Sequence, residues 1–543
     1  MFLAHLLLGA LGALVLYAVL YAAYLVYREL ASPLRPMRGP RNPSLLFGNL
    51  KEISSDLSAI SDWRAQFGPT FQFRGFFSMS HICTTDLKAL THIVTDDGTY
   101  RKPAFVRDMS RRMLGKGLLF AQLDDHKRQR RAMNPAFGAQ QIRVLTDVFF
   151  DKAIQLREIW AIQVSQAQEN GTECQIEVFD WLRRVTLDVI GQAGFDYQFN
   201  ALTPQEEPSE LSTVFTKLLH SPHAQRYMNF RRVQSLIPIF KLVPVPGGRM
   251  LRRARNAMAA IGAQIVARSK ARLLADNSEK TLSGRRDLVS VLLKSNVSAS
   301  VPGNQRLSES EVIAQIPTFL FAGHETTSSA LAWALQALSL NPTVQTKLRA
   351  ELFKISTEAP TMNDLNALPY LENVVRETMR LHTPVVFNTR VAMRDDMLPL
   401  STPYVDRFGK KYDSLPIPKG QMFYIPILGV NTDEQIWGTD ALEFRPERWD
   451  RLPEGVSDIP GVWANQLTFF GGTHNCIGFR FALAEIKVIL FTLLRAFEFK
   501  PAVPKEEIVL KLAGFFQRPG LRGAGSKGSE LPMLLNTCGS NYN

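Results

Sequence analysis

Cys476 stands in Phe469-Phe470-Gly471-Gly472-Thr473-His474-Asn475-Cys476-Ile477-Gly478, a glycine-rich stretch that runs straight into a segment from Phe479 to Phe497. No other stretch constrains the chain as much. In that segment Phe481, Leu483, Ala484, Ile486, Val488, Ile489 and Leu490 are spaced as the apolar face of a helix. A thiol just ahead of a helix N-terminus meets orphan N–H groups and the positive end of the dipole, and both favour the thiolate. Gly471, Gly472 and Gly478 let backbone approach the sulfur or a flat ligand above it. No second Cys or His stands at zinc-like spacing, which argues against a structural zinc site. A single strong thiolate points instead to haem iron. The bland alternative is a free cysteine buried behind a turn.

The ten residues resemble the haem-binding signature of the cytochrome P450 monooxygenases, Phe-x-x-Gly-x-Arg/His-x-Cys-x-Gly, with Phe469, Gly472, His474, Cys476 and Gly478 filling every fixed position. The resemblance implies a mainly α fold with a minor β region, haem b as cofactor, and Cys476 as its axial thiolate. It also places Phe469, His474 and Gly478 at the cofactor.

The chain has 543 residues, 45% hydrophobic and 21% charged, the profile of an ordinary folded protein. Its net charge of +13 favours an acidic surface of some kind. The basic residues are dispersed and form no nucleic-acid module, so an anionic membrane face and an acidic redox partner account for the charge better. Cys83, Cys174, Cys476 and Cys538 show no pairing pattern, which fits a reducing compartment.

From Phe2 to Tyr27 there is no Asp, Glu, Lys or Arg. A helix of that length rises about 39 Å, enough to cross a bilayer with tilt. Tyr17, Tyr21, Tyr24 and Tyr27 give its far end interfacial character, and Arg28, Arg35, Arg38 and Arg41 follow, so the positive-inside rule predicts a cytosolic body. The rival reading, a cleaved signal peptide, lacks a basic leading region and has too long an apolar stretch. Sequons at Asn170 and Asn296 would carry sugar only on a lumenal body, which makes their occupancy a topology test.

The expected organisation is a transmembrane anchor at 2–27, a basic hinge with Pro33, Pro36, Pro40 and Pro43 at 28–43, a catalytic domain at 44–518 and a flexible tail at 519–543. The hinge resembles that of the microsomal P450s, which implies the endoplasmic reticulum membrane. Helical patterns cover 145–168, 178–194, 250–275 and 308–340; strand-like stretches are shorter, at 71–73, 422–427 and 509–516. Polar stretches at 201–210, 277–286 and 295–305 read as surface loops.

Ser308 with Glu311 forms a capping box and Asn341-Pro342 a stop, framing a helix of about 50 Å that Pro317 could kink. Near its middle lies Ala322-Gly323-His324-Glu325-Thr326-Thr327. Ala322 and Gly323 remove bulk beside a planar cofactor, and the hydroxyls from Thr326 to Ser329 can bond back to carbonyls one turn earlier. The stretch resembles the family's oxygen-activation motif, which implies Glu325 as the acid and Thr326 as the alcohol of a proton relay. A zincin reading of His324-Glu325 fails because Ser328 stands where a second His is required. His324 reads as a packing or solvent-channel residue.

Glu377 and Arg380 lie three apart on one helical face. The pair resembles the family's Glu-x-x-Arg, which implies a buried structural triad with Arg448. Haem propionates need cationic partners, and by family position these are Arg130, Arg390 and His474. Here His126 stands where the family's pattern before Arg130 has Trp. His126 can still donate to a propionate. Arg128 and Arg131 are alternatives in another register, and Lys127 and Arg128 also suit a basic face for a reductase.

Family position assigns Phe105, Phe120, Phe319, Val385, Val386, Phe387, Phe515 and Phe516 to the substrate pocket, and their apolar character suits a lipophilic substrate. The resemblance implies a monooxygenase fed from NADPH by a separate cytochrome P450 reductase, with cytochrome b5 as a second donor; no flavin or dinucleotide fingerprint is present in the chain. The fungal members it resembles oxidise terpenoids, other secondary metabolites or xenobiotics. Alternatives are a haem-thiolate isomerase or dehydratase that does not use dioxygen, and a non-catalytic haem-binding membrane protein.

Overall fold

The structure, a computed structural model, describes residues 2–203, 234, 248–275, 287–297, 302–523 and 530–538. The loops expected at 201–210, 277–286 and 295–305 lie largely outside the described residues. The fold is mainly helical with four small sheets. The helices used below are α1 (Phe2–Leu30), α2 (Ala104–Met113), α3 (Leu123–Met133), α4 (Ala139–Glu169), α5 (Val178–Phe195), α6 (Glu309–Leu340), α7 (Pro369–Leu381) and α8 (Phe479–Ala496).

The chain divides into two compact units. The smaller contains the described parts of Met1–Met113, Thr216–Arg255 and Phe387–Gly429. Its main sheet joins β1 (Thr70–Arg74), β2 (Ser80–Thr84), β3 (Tyr100–Arg101), β5 (Asn388–Ala392) and β8 (Met422–Ile425) in the order β1-β2-β8-β5-β3. Phe71, Phe73, Cys83 and Tyr424 fill one core cluster of this unit, against Ile53 and Ile60. A second pairing joins β6 (Asp396–Val405) to β7 (Lys411–Ile417).

Helix α1 includes Gly12–Leu30, among the described residues the one stretch long and apolar enough to cross a membrane, consistent with a single-pass anchor. The connector after it is fastened to the body from Leu34 onward, which shortens the expected hinge. Leu34 and Met37 are buried, the Met37 carbonyl accepts from Gln72 Nε2 at 2.6 Å, and the Arg38 carbonyl accepts from the Gln72 N–H at 3.0 Å. Gly39 is required there, because a Cβ would lie 1.7 Å from the Gln72 carbonyl oxygen.

The larger unit contains Leu114–Phe215, Asn256–Val386 and Val430–Asn543 in their described parts. Helix α6 crosses its core, packed on α5 and α8. The expected capping box forms: the Ser308 N–H donates to Glu311 Oε2 at 2.7 Å while Ser308 Oγ accepts from the Glu311 N–H. The helix runs unbroken through Pro317, whose flanking Ile316 and Thr318 are buried; proline removes one N–H, and the packed face carries the turn.

The strand material expected at 509–516 forms, and the flexible tail expected at 519–543 is corrected in its described part. The stretch read as strand-like at 509–516 is a hairpin, β10 (Ile508–Ala513) and β11 (Phe516–Leu521), whose turn uses Gly514 at φ +74°. Further on, β12 (Pro532–Thr537) is the central strand of a sheet between β4 (Cys174–Glu177) and β9 (Phe497–Pro501), with Leu531, Met533 and Leu535 buried. Apolar alternation, not the basic glycine-rich stretch before it, decides the fate of this end. Asn296 is also spoken for: it is buried, and its carboxamide exchanges hydrogen bonds with the Leu307 backbone at 2.6 and 2.8 Å, so the exposed Asn170 is the sequon that can report topology.

Candidate active site

Cys476 is an exposed side chain in a crowded setting. The packing around its sulfur pushes the thiol pKa up, against the Gly478 N–H and the Arg130 guanidinium, which pull it down. The Cys476 side chain is thus crowded by protein atoms and still open. Its backbone is held by the Cys476 N–H donating to the Phe469 carbonyl at 2.8 Å, and Phe469 packs against Trp463 and Phe479.

Arg130, on α3, reaches the same loop. Its Nη1 donates to the Asn475 carbonyl at 2.6 Å and to the Thr473 carbonyl at 3.4 Å. Burial lowers its pKa, and the nearby Cys476 works the other way. His126, one turn earlier and buried, lies with its ring 4.0 Å from that of His474. The residue replacing the expected Trp thus keeps an aromatic contact with the Cys476 loop. Arg128 belongs elsewhere: it pairs with Glu311 and Asp125, tying α3 to the start of α6, which leaves Lys127 as the exposed base of that turn.

On α6, Ala322 is exposed although most of the helix is buried. At about 100° per residue, Thr326 sits roughly 40° round from Ala322, on the same open face. Its hydroxyl donates to the Ala322 carbonyl at 2.6 Å, the back-bond anticipated from the sequence. A Cβ on Gly323 would sit 3.2 Å from Ile190 of α5, so its smallness lets the two helices pack closely. Phe319 is buried and packs edge-on against Phe137, whose ring also lies 3.6 Å from where a Cβ on Gly478 would sit. Phe137, which sequence reasoning missed, therefore joins the α6 face to the Cys476 loop.

Glu325 lies about 60° round from Ala322 on the opposite side. It is 1% exposed, and its Oε2 accepts from Arg518 Nη2 at 2.5 Å; Arg183 of α5 and His324 lie 3.8 and 3.6 Å from Oε1. Nothing in the sequence marked either arginine. His324 is buried, as its packing reading requires, and its carbonyl accepts from Thr186.

Glu377, Arg380 and Arg448 are all buried to 1% exposure or less. Arg380 grips Glu377 with two hydrogen bonds of 2.8 and 3.0 Å, and Arg448 Nε reaches the same carboxylate at 3.3 Å. Trp449 Nε1 donates to it at 3.0 Å, and Asp440 accepts from Arg448 at 2.6 Å. Burial opposes the Arg448 charge, yet Asp440 and Glu377 outweigh it and raise its pKa. The cluster is wired to the cysteine loop. Arg380 donates to the Asn431 carbonyl; Asn431 bonds Thr468 Oγ1 and the Leu467 N–H; Phe469 follows and accepts from Cys476.

Phe120, Val385 and Phe515 are partly open, while Val386 and Phe516 are buried. Val385 bridges to Phe516, and the Val386 N–H donates to the Phe515 carbonyl at 3.1 Å. Arg390, Phe105 and Phe387 belong to the smaller unit. There Arg390 is buried, its pKa lowered to about 10 by burial, and it donates to Asn388 and the Thr389 carbonyl. Phe105 is half-buried on α2, and Phe387 stacks on Tyr424.

The Cytochrome P450 family model matches residues 37–521. The chain belongs to the cytochrome P450 family. Similar curated proteins extend over almost its whole length. Cytochrome P450 monooxygenase 205 of Postia placenta is 45% identical across 95% of each chain. Cytochrome P450 monooxygenase claP of Ampulloclitocybe clavipes is 34% identical across 92% of each. Ganoderic acid synthetase CYP5150L8 of Ganoderma lucidum is 35% identical across 90% of this chain and 93% of its own. The P450 is thus a haem-thiolate monooxygenase acting on a small lipophilic substrate. Membership implies haem b on an axial cysteine thiolate and electrons from NADPH through a P450 reductase. The larger unit fits that cofactor: it offers an open thiol in a packed loop, a cationic Arg130 beside it, and an α6 face left bare at Ala322.

Proposed function

We propose that the P450 oxidises a terpenoid or another fungal secondary metabolite from the endoplasmic reticulum membrane, with Cys476 as the haem thiolate. The observation that carries the cofactor assignment is the open Cys476 thiol, fixed by Arg130 and by the Phe469 carbonyl. When bound, thiolate-ligated haem supplies the oxygen-activating chemistry that puts one atom of dioxygen into the substrate. Arg130, His126 and His474 of the larger unit would serve its propionates, with Phe469, Gly478 and Ala322 lining its faces. Thr326 holds a hydroxyl on the open face and Glu325 an acid behind it, the pair that moves protons from solvent inward. Glu377, Arg380 and Arg448 keep the cysteine loop in place through Asn431. The anchor puts the body at a membrane surface, where lipophilic substrates partition.

The substrate class rests on the apolar set Phe120, Val385 and Phe515 and on the relative named for ganoderic acid synthesis. Secondary metabolism is preferred over detoxification on that relative, and an isomerase over a monooxygenase finds no support, since acid and alcohol are both retained. The experiment is co-expression of the full chain with a P450 reductase in yeast, fed terpenoid and aromatic scaffolds and read by mass spectrometry. A terpenoid product heavier by one oxygen supports the reading. Oxidation of aromatic xenobiotics alone, or products without added oxygen, would overturn it.

A further inference from the structure

Three consecutive residues of β11 are fastened to α6. The Phe516 ring lies 5.3 Å from that of Phe321, edge-on; the Gln517 carbonyl accepts from Ser329 Oγ at 2.6 Å; Arg518 pairs with Glu325 at 2.5 Å. The partners Phe321, Glu325 and Ser329 follow one another at four-residue spacing, so the three contacts lie along one face of α6. The other side of β11 meets the chain after α7: the Gln517 N–H donates to the Pro384 carbonyl at 3.0 Å, Gln517 Nε2 to the Thr383 carbonyl at 2.6 Å, and Val385 bridges to Phe516. Phe515, at the head of the strand, is partly open, its ring tilted against that of Phe516 at 4.4 Å. One short strand therefore joins an open apolar position to a buried carboxylate.

That carboxylate is over-supplied with positive charge. Arg518 and Arg183 share Glu325, with His324 beside it. A carboxylate so held is fixed in place by its cations for as long as the grip lasts. Arg518 makes the closer contact, 2.5 Å against 3.8 Å for Arg183, so it does most to fix the carboxylate.

We propose that Arg518 is a positioning residue for Glu325, and that β11 links the contact a substrate makes at Phe515 to the freedom of that carboxylate to deliver protons. Proton supply would then follow pocket occupancy. The inference rests on the relay reading of Glu325 and Thr326 given above.

The test uses full-length Arg518→Gln, Arg518→Lys, Phe516→Leu and Glu325→Gln with reductase and an accepted substrate, each checked for haem content and the reduced carbonyl spectrum. Arg518→Gln leaves Glu325 without its nearest cation, so the acid limb of the pH profile of coupling should move upward. Substrate-free NADPH oxidation should rise about fivefold, the order that a loss of about 1 kcal/mol in gating allows. Arg518→Lys should restore the pH profile. An unchanged profile and unchanged substrate dependence in Arg518→Gln overturn the inference, provided Glu325→Gln lowers coupling. If Glu325→Gln is itself silent, the relay reading falls and the inference with it. Should Arg518→Gln fail to take up haem, Phe516→Leu decides: raised substrate-free NADPH use supports the linkage, and wild-type behaviour refutes it.

Discussion

Two buried carboxylates in this P450 are each shared by two arginines, and they are built for different ends. Glu377 is saturated. Arg380, Arg448, Trp449 and the Arg445 N–H converge on it, and the guanidiniums spend their remaining donors on the Asn431, Ala441, Trp437 and Asp440 carbonyls. Glu325 has one short contact to Arg518 and a looser one to Arg183. A carboxylate whose lone pairs are all engaged is a fixed point in the fold, whereas one held mainly at one oxygen can be released by moving a single partner. The first arrangement anchors the loop of Cys476. The second suits a group that has to change state during turnover.

If the contrast holds, breaking the saturated cluster should be the most damaging change. Glu377→Ala leaves Arg380 and Arg448 buried without their carboxylate, at a cost of about 3–5 kcal/mol. It should yield little or no haem-containing protein, read from the reduced carbonyl spectrum and soluble yield after detergent extraction. Cys476→Ser separates the anchor from what it anchors. The thiolate-type carbonyl band should vanish while far-ultraviolet circular dichroism stays that of the parent; a surviving band would sink the ligand assignment.

At the looser site the fold should survive and the chemistry suffer. Thr326→Ala keeps the carbonyl spectrum, but product per NADPH should fall about tenfold or more, with the difference leaving as peroxide. Unchanged coupling would remove Thr326 from the relay.

The smallest effect concerns Glu177, a carboxylate held by backbone N–H groups of Phe179 and Leu531. Burial pushes its pKa up to about 7 from the usual 4.5. The folded state then binds more protons than the unfolded state between those values, so this group's contribution to stability declines as pH rises from about 4.5 to 7. Thermal melts of Glu177→Gln across that range should show a flatter pH dependence than the parent. An equal slope would assign the effect to other acids, such as Asp188 and Asp287, whose pKa values burial also raises.

What could be read from the sequence was local in its physics. The Glu377–Arg380 pair follows from three-residue spacing on a helix, the Ser308 cap from its four-residue box, and the cysteine loop from its glycines, of which Gly472 takes φ +64°. Each depends on neighbours a few residues away, whose geometry the backbone dictates. The same reasoning missed the contact of Gly323 with Ile190 of α5, because which element packs beside a glycine is a tertiary matter. It also misjudged the C-terminus, where a basic glycine-rich stretch precedes a strand that fills the centre of a sheet.

By itself the sequence determined the family, a first helix long and apolar enough to cross a membrane, and the local motifs around Cys476, Thr326 and Glu377. Only the tertiary structure decided which charges meet. Arg518 lies 193 positions from Glu325, and Asn431 joins Arg380 to the cysteine loop across segments with no shared motif. Ion pairing at such separation is set by which surfaces burial brings together, since a buried carboxylate must take whatever cation the packing supplies.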